Sequence, residues 1–129
     1  LRKYEMFDED WEIISQLRDL LKLFKDATLF FSRTIPSIAM VIPAMDHIDQ
    51  HLATHAVNGA NSIAIHAAAS LAKATLNKYY NATDHLEVYR IAMVLHPRHK
   101  LSYFKHAGWK VSWIQTAEDI VRAEYERTY

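Results

Sequence analysis

The sequence predicts an all-α fold of about five helices in a single domain. Only two glycines and three prolines occur among 129 residues, too few for the tight turns that a β protein of this size needs. Apolar residues recur every three or four positions, which is the period of a helix that buries one face, and alternation with a period of two is nowhere sustained. Half of the residues are apolar, so the chain can form a buried core.

We expect one domain over residues 1–129 with no internal boundary. The chain starts at Leu1, which indicates a fragment of a larger, multidomain protein. It has no cysteine, which excludes disulfides and zinc sites built on thiolates. No apolar run reaches the roughly 20 residues that a membrane span needs, so we expect no membrane partner.

The first helix is expected to begin near Asp8, whose carboxylate can bind the free N–H groups of the first turn, and to end between Ser32 and Ile35. Further acids follow Asp8, where the positive end of the helix dipole favours them. Its apolar positions are spaced to form one buried stripe. These are Trp11, Ile14, Leu17, Leu20, Leu21, Phe24, Thr28 and Phe31.

The other helices are expected at about residues 36–57, 62–80, 86–95 and 111–127. Pro36 suits the first turn of the second helix, but Pro43 lies inside it, so we expect a kink or break between residues 39 and 45. Pro97 ends the fourth helix. Residues 101–106 are expected to form a short turn that leads to Gly108, which suits the residue after a helix end.

Formal net charge is zero, but the charges are unevenly distributed. Residues 1–50 hold nine acids and six bases, whereas residues 88–117 hold no acid and five bases. An anionic partner meets one surface at a time, so this block is the candidate DNA contact. Its bases are Arg90, Arg98, Lys100, Lys105 and Lys110. Of the aromatic residues in this block, Phe104 and Trp113 are expected in the core.

The histidines are the remaining candidates for chemistry. His47, His51 and His55 stand at i, i+4 and i+8 of one helix, a spacing at which neighbours could share a metal ion. They are weak candidates, because acids and amides surround them and no HExxH pattern is present. His96 and His99 flank Pro97, but no nucleophile or carboxylate accompanies them, so no catalysis is expected there. Neither glycine belongs to a phosphate-binding loop.

Several short motifs occur in an order that resembles one family. They are "LKLFKDAT" (residues 21–28), "IPSIAMVIP" (35–43), "NKYY" (77–80) and "YRIAMVLHPRHKLSYF" (89–104). Together with Trp11 and the tail from Gly108, they resemble the hAT superfamily of cut-and-paste DNA transposases, fungal members in particular. Two positions depart from the pattern: Leu23 replaces the usual proline, and His96 replaces a frequent aspartate.

This resemblance implies that the chain is the C-terminal part of the helical insertion that precedes the last catalytic glutamate of an RNase H-like core. It then contains no catalytic residue and no cofactor, although the parent protein would use Mg²⁺ or Mn²⁺. The implied partners are DNA at or beside the transposon ends and the rest of the same chain, with self-association of the parent and a nuclear location. The alternative is a protein-interaction or oligomerisation scaffold that does not touch DNA.

Overall fold

The structure is a computed structural model that describes residues 4–32 and 37–129. Every regular element in these ranges is helical, so the predicted all-α class is confirmed. The elements are α1 (Asp8–Phe31), a single 3-10 turn (Ile38–Met40), α2 (Val41–Val57), α3 (Ile63–Asp84), α4 (Glu87–Leu95), α5 (Lys100–His106) and α6 (Val111–Thr128). All except α5 overlap a predicted helix.

The described residues form two compact units. The first contains residues 4–32 and 44–79, and the second contains residues 37–43 and 80–129. In the first unit the buried cluster takes one side chain each from α1, α2 and α3, namely Leu20, Leu52 and Ala69. In the second unit the buried cluster consists of Ala39, Ile42, Met93, Phe104 and Ala117. Each unit therefore has an apolar core of its own.

The start of α2 agrees with the break that Pro43 predicts. The 3-10 turn ends at Met40 and α2 begins at Val41, inside the expected interval. Pro43 is thus the third residue of α2, where its missing N–H is one of those that a helix start leaves unpaired. The predicted role of Pro36 lies outside the described residues.

The beginning of α1 differs from the prediction in its capping residue. Phe7 precedes the helix and Asp8 is its first residue. The carboxylate that binds the backbone is that of Asp10, whose Oδ2 accepts the N–H of Phe7 at 2.9 Å. The expected capping by Asp8 is wrong, although all three acids of the first turn still lie at the positive end of the helix dipole.

The packed face of α1 is rotated from the predicted stripe. Leu20 is buried, Phe24 packs beside it and Phe31 is half-buried, as expected. The other half-buried positions are Ile13, Ser15, Gln16, Leu23 and Ala27. Thr28 and four large apolar residues of the predicted stripe are instead exposed. The four apolar residues are between 37 and 59% exposed, and we call them the α1 stripe: Trp11, Ile14, Leu17 and Leu21.

Polar contacts join the turn between α2 and α3 to α1. The side-chain carbonyl of Gln16 accepts the N–H of Ser62 at 2.7 Å, and its amide donates to the carbonyl of Ala60 at 3.3 Å. Gln16 thereby supplies partners for backbone groups of a turn that has no regular structure of its own. Its place on the packed face of α1 follows from these bonds.

The segment after Pro97 is a helix rather than the predicted turn. α5 ends in a Schellman arrangement, in which the N–H of Gly108 donates to the carbonyl of Lys105 at 3.2 Å and that of Trp109 to the carbonyl of Phe104 at 3.0 Å. Gly108 has a φ of 75°, so its predicted role after a helix end is confirmed. The rings of Phe104 and Trp109 lie 4.6 Å apart, which adds the apolar contact typical of this motif.

The core predictions for the second unit are right for Phe104 and wrong for Trp113. Phe104 is fully buried, whereas Trp113 is 54% exposed. Trp109 takes the place against Phe104, and Trp113 stands edge-on to Trp109 at 5.9 Å. α6 packs instead through Ala117, with Ile114 beside it. On the exposed side of α6, Arg122 pairs with Glu118 at 2.7 Å, one helical turn away.

We expect Leu52→Ala to lower the free energy of unfolding by about 2–5 kcal/mol, because it leaves a cavity among residues of three helices. Leu52 has no exposed surface, whereas Leu71 on α3 is 71% exposed. Leu71→Ala is therefore the matched control, with an expected change within about 0.5 kcal/mol. Urea unfolding followed by circular dichroism measures both, and equal effects would contradict this description of the core.

Candidate nucleic-acid interface

The turn between α4 and α5 carries Arg98 and leads into Lys100, the first residue of α5. The other basic residues that the sequence singled out lie on α4, on α5 and just before α6. The carbonyl of His96 accepts the N–H groups of His99 at 3.1 Å and of Lys100 at 3.3 Å. Lys100 has a φ of 52°, a left-handed conformation that costs a residue with a Cβ atom about 1 kcal/mol or more. The backbone at Lys100 is therefore strained, and the buried side chains that follow it hold that conformation.

The two histidines of this turn pack into the protein. The rings of His96 and His99 lie 4.5 Å apart, and His99 Nε2 lies 3.3 Å from the sulfur of Met40. The backbone N–H of Arg98 donates to His96 Nδ1 at 3.3 Å. Burial, followed by the nearby charges of His96 and Arg98, lowers the pKa of His99 below its usual 6.5. These contacts give the histidines a structural role in shaping the turn.

The five candidate DNA contacts differ in their exposure and in their contacts with other side chains. Arg90 is paired with Asp84 at 2.8 Å, and its side chain is only 18% exposed. The ammonium group of Lys110 lies 5.3 Å from the centre of the Trp113 ring. Arg98, Lys100 and Lys105 are exposed, and no ion pair involves them in residues 4–32 and 37–129. We call these three residues the basic corner.

The basic corner is arranged by the packing of α5. Phe104 points into the core and Leu101 packs beside it. Lys100 and Lys105 both belong to this helix and are exposed, and Arg98 precedes it in the turn.

The histidines of α2 do not come together as a set of three. His47 and His51 lie edge to face with ring centres 4.6 Å apart. His55 is engaged elsewhere, because the amide nitrogen of Asn61 lies 3.1 Å from its Nδ1. Within the described part of the chain, no group of three histidine, cysteine, aspartate or glutamate side chains could hold a metal ion.

Comparisons with known proteins add no assignment. No protein-family model, curated protein or solved structure matches this chain.

Within residues 4–32 and 37–129, no helix combines the length and the hydropathy that a membrane span requires.

The sequence did not predict three features of this region. The contact between His99 and Met40 joins residues that are far apart in the chain, and no local pattern could reveal it. The pairing of Arg90 with Asp84 crosses the turn between α3 and α4, where helical spacing rules no longer apply. The left-handed backbone at Lys100 likewise has no signal in its residue type.

We expect the stability of the chain to fall on acidification through His99. A lowered pKa means that the unfolded chain binds a proton at this residue more readily than the folded chain does. The free energy of unfolding therefore decreases as the pH falls through the usual histidine value of about 6.5. Unfolding measured between about pH 7.5 and 5.5 should show a shallower pH dependence in His99→Gln than in the natural sequence. An unchanged dependence, in a variant that folds at the higher pH, would contradict this role.

Proposed function

We propose that the chain is a non-catalytic helical module that binds the phosphate backbone of DNA through the basic corner. The observation that carries the proposal is that Arg98, Lys100 and Lys105 are exposed and have no carboxylate partner among the described residues. Residues 88–117 contain no acid at all, so no neighbouring carboxylate in this segment offsets their charge. Phosphate contacts of this kind supply affinity with little sequence preference.

The resemblance to hAT transposases supplies the biological setting of the proposal. In that setting the parent protein is a nuclear enzyme that excises and inserts DNA, and this module supports its RNase H-like core while it contacts transposon-end or flanking DNA. Arg90 and Lys110 belong to the same basic block, but their contacts with Asp84 and Trp113 make them secondary candidates. The sequence and packing of the basic corner support the DNA contact independently of the family.

Divalent metal would act elsewhere in the parent protein. Mg²⁺ and Mn²⁺ prefer carboxylate ligands, and the described residues assemble no cluster of three metal-ligating side chains. The donors within residues 4–32 and 37–129 do not fit such a site. We therefore propose that the acids of this chain serve helix capping and surface ion pairs.

Exchanging two lysines of the basic corner tests the proposal. Lys100→Glu with Lys105→Glu should weaken binding of this chain to duplex DNA, since two phosphate contacts become repulsive. The slope of log K against log salt concentration should become shallower by about 2, which is close to one unit for each lost phosphate contact. Fluorescence anisotropy with labelled DNA at several salt concentrations measures both quantities.

A matched control variant distinguishes an effect of the basic corner on DNA binding from an effect of the total charge. Lys25→Glu with Lys78→Glu makes the same change of net charge at two exposed lysines of the first unit. We expect this variant to bind DNA with nearly the affinity and salt slope of the natural sequence. If the two double variants lose affinity equally, or if neither does, the basic corner is not the DNA contact.

A second candidate function is a protein-interaction scaffold. It is favoured by the α1 stripe, in which four large apolar side chains are left exposed along one helix. Apolar surface that is contiguous in this way commonly marks a contact with another protein surface. This function uses the first unit and involves none of the residues of the basic corner.

A further inference from the structure

The indole of Trp113 lies on the surface of the second unit, in the first turn of α6. It is 54% exposed, because Ala117 and Ile114 make the contacts of α6 with the core. The ring of Trp109 stands edge-on to it, with the ring centres 5.9 Å apart. A large aromatic side chain is thus held by a neighbouring ring and still exposes more than half of its surface.

A lysine accompanies this indole. The ammonium group of Lys110 lies 5.3 Å from the centre of the Trp113 ring, within the range of a cation–π contact. Lys110 is exposed, and such a contact is weak at an exposed site, so the ammonium group can turn from the ring to an anion. The pair therefore offers a flat aromatic surface and a positive charge to the same ligand.

The sequence around this pair carries no carboxylate that would oppose an anion. Residues 88–117 hold no acid, and Glu118, the first acid that follows, is paired with Arg122 at 2.7 Å. Lys105 lies in the last turn of α5, and the hydrogen-bonded end of that helix leads directly to Lys110. The charge of this segment favours an anionic ligand.

A second exposed indole has the opposite charge around it. Trp11 is 59% exposed, about as much as Trp113, but residues 8–12 hold four acids and no base. These carboxylates repel an anionic ligand. Exposure alone therefore does not distinguish the two indoles, whereas the charge beside them does.

We propose that Trp113 stacks on an unpaired base of single-stranded DNA while Lys110 binds a phosphate beside that base. Every base has an aromatic face, and stacking on exposed aromatic side chains binds single strands with little sequence preference. In duplex DNA neighbouring base pairs cover these faces, and a base must leave the stack before a side chain can reach it. The site at Trp113 is thus selective for unpaired DNA, unlike the phosphate contacts of the basic corner.

Other ligands fit this surface less well. A helix that lies in a membrane interface needs an extended apolar face. Between residues 96 and 124, however, Val111 and Trp113 are the only large apolar side chains that are exposed. A protein partner bound through apolar contacts would find the same two side chains and, beside them, the uncompensated charge of Lys110.

This inference rests on the proposed function for its partner, DNA, but it concerns a different form of DNA and different residues. The phosphate contacts of the basic corner are tested with duplex DNA and with changes at Lys100 and Lys105. Stacking is tested with a single strand and with changes at Trp113. Each result can fail while the other holds.

Fluorescence anisotropy with a labelled oligothymidylate of about 12 nucleotides measures the binding of a single strand. Trp113→Ala should weaken the affinity at least about fivefold, the usual loss for one stacked base. Trp11→Ala removes a similarly exposed indole from the first unit and should leave the affinity unchanged. Circular dichroism shows whether both variants remain helical. A natural chain that does not bind the oligonucleotide, or two variants with equal losses, would overturn the proposal.

Tryptophan fluorescence identifies the indole that meets the base. Stacking on a base quenches indole emission, and phenylalanine keeps an aromatic face without that emission. Trp113→Phe should therefore retain most of the affinity and lose most of the quenching, whereas Trp11→Phe should retain both. These variants preserve a ring at each position, so the test remains decisive if Trp113→Ala does not fold. Quenching that persists in Trp113→Phe would contradict stacking at this residue.

Salt and duplex DNA distinguish stacking from contacts with phosphates. Trp113→Ala removes no charge, so the slope of log K against log salt concentration for the oligothymidylate should stay the same. With a duplex of equal length, the same variant should change the affinity less than about twofold, since paired bases expose no face. Equal losses with single strand and duplex would overturn the proposal. So would binding to phosphatidylserine vesicles that Trp113→Ala abolishes, in a chain that does not bind the oligothymidylate.

Discussion

The burial of Phe104 is the constraint on which the second unit depends. α5 has only seven residues, so a single fully buried side chain is enough to fix its rotation. The ring packs on Trp109, and the hydrogen bond from the N–H of Trp109 to the carbonyl of Phe104 closes the same loop. One residue thus orients the helix and also anchors its end.

The first unit is organised by a different limitation. α1 carries more large apolar side chains than one face of a helix can bury against its neighbours in the unit. Leu20 packs with Leu52 and Ala69, and Gln16 binds the turn before α3, so these contacts select the inward face. Trp11 and Leu21 lie outside the arc that remains. Their exposure is thus a consequence of packing, and it leaves a surface that favours association.

The sequence predicted the helices well because their period is a local property. It predicted their rotation less well, since the rotation of α1 depends on Ala69 and on backbone groups near Ser62, which are distant in the chain. The sequence predicts a turn in place of α5, because this segment is short and lies between Pro97 and Gly108. The same reading nevertheless placed Gly108 correctly, since a left-handed residue after a helix end has a local signal.

The candidate site also combines features that are visible in the local sequence with features that arise only from the fold. That residues 88–117 form an acid-free, basic segment could be read directly from the sequence. The sequence could not show which of these bases contact other side chains. Arg90 pairs with Asp84 and Lys110 lies over the Trp113 ring, and both contacts form only in the folded chain. Trp113 was expected in the core for its size, yet Trp109 occupies the position against Phe104. Trp109 packs on Phe104 because the hydrogen bond at the end of α5, from the N–H of Trp109 to the carbonyl of Phe104, holds it beside that ring.

Although the formal net charge is zero, two surfaces of the chain should respond differently to salt. The proposed binding of phosphates by the basic corner would release condensed counterions, so its affinity should fall steeply as salt concentration rises. A contact made through the α1 stripe would bury apolar surface, which salt does not screen. Salt should therefore weaken the proposed DNA binding much more than a contact through the α1 stripe. A physical separation of this kind requires the charges to be segregated along the chain, as they are between residues 8–17 and 88–117.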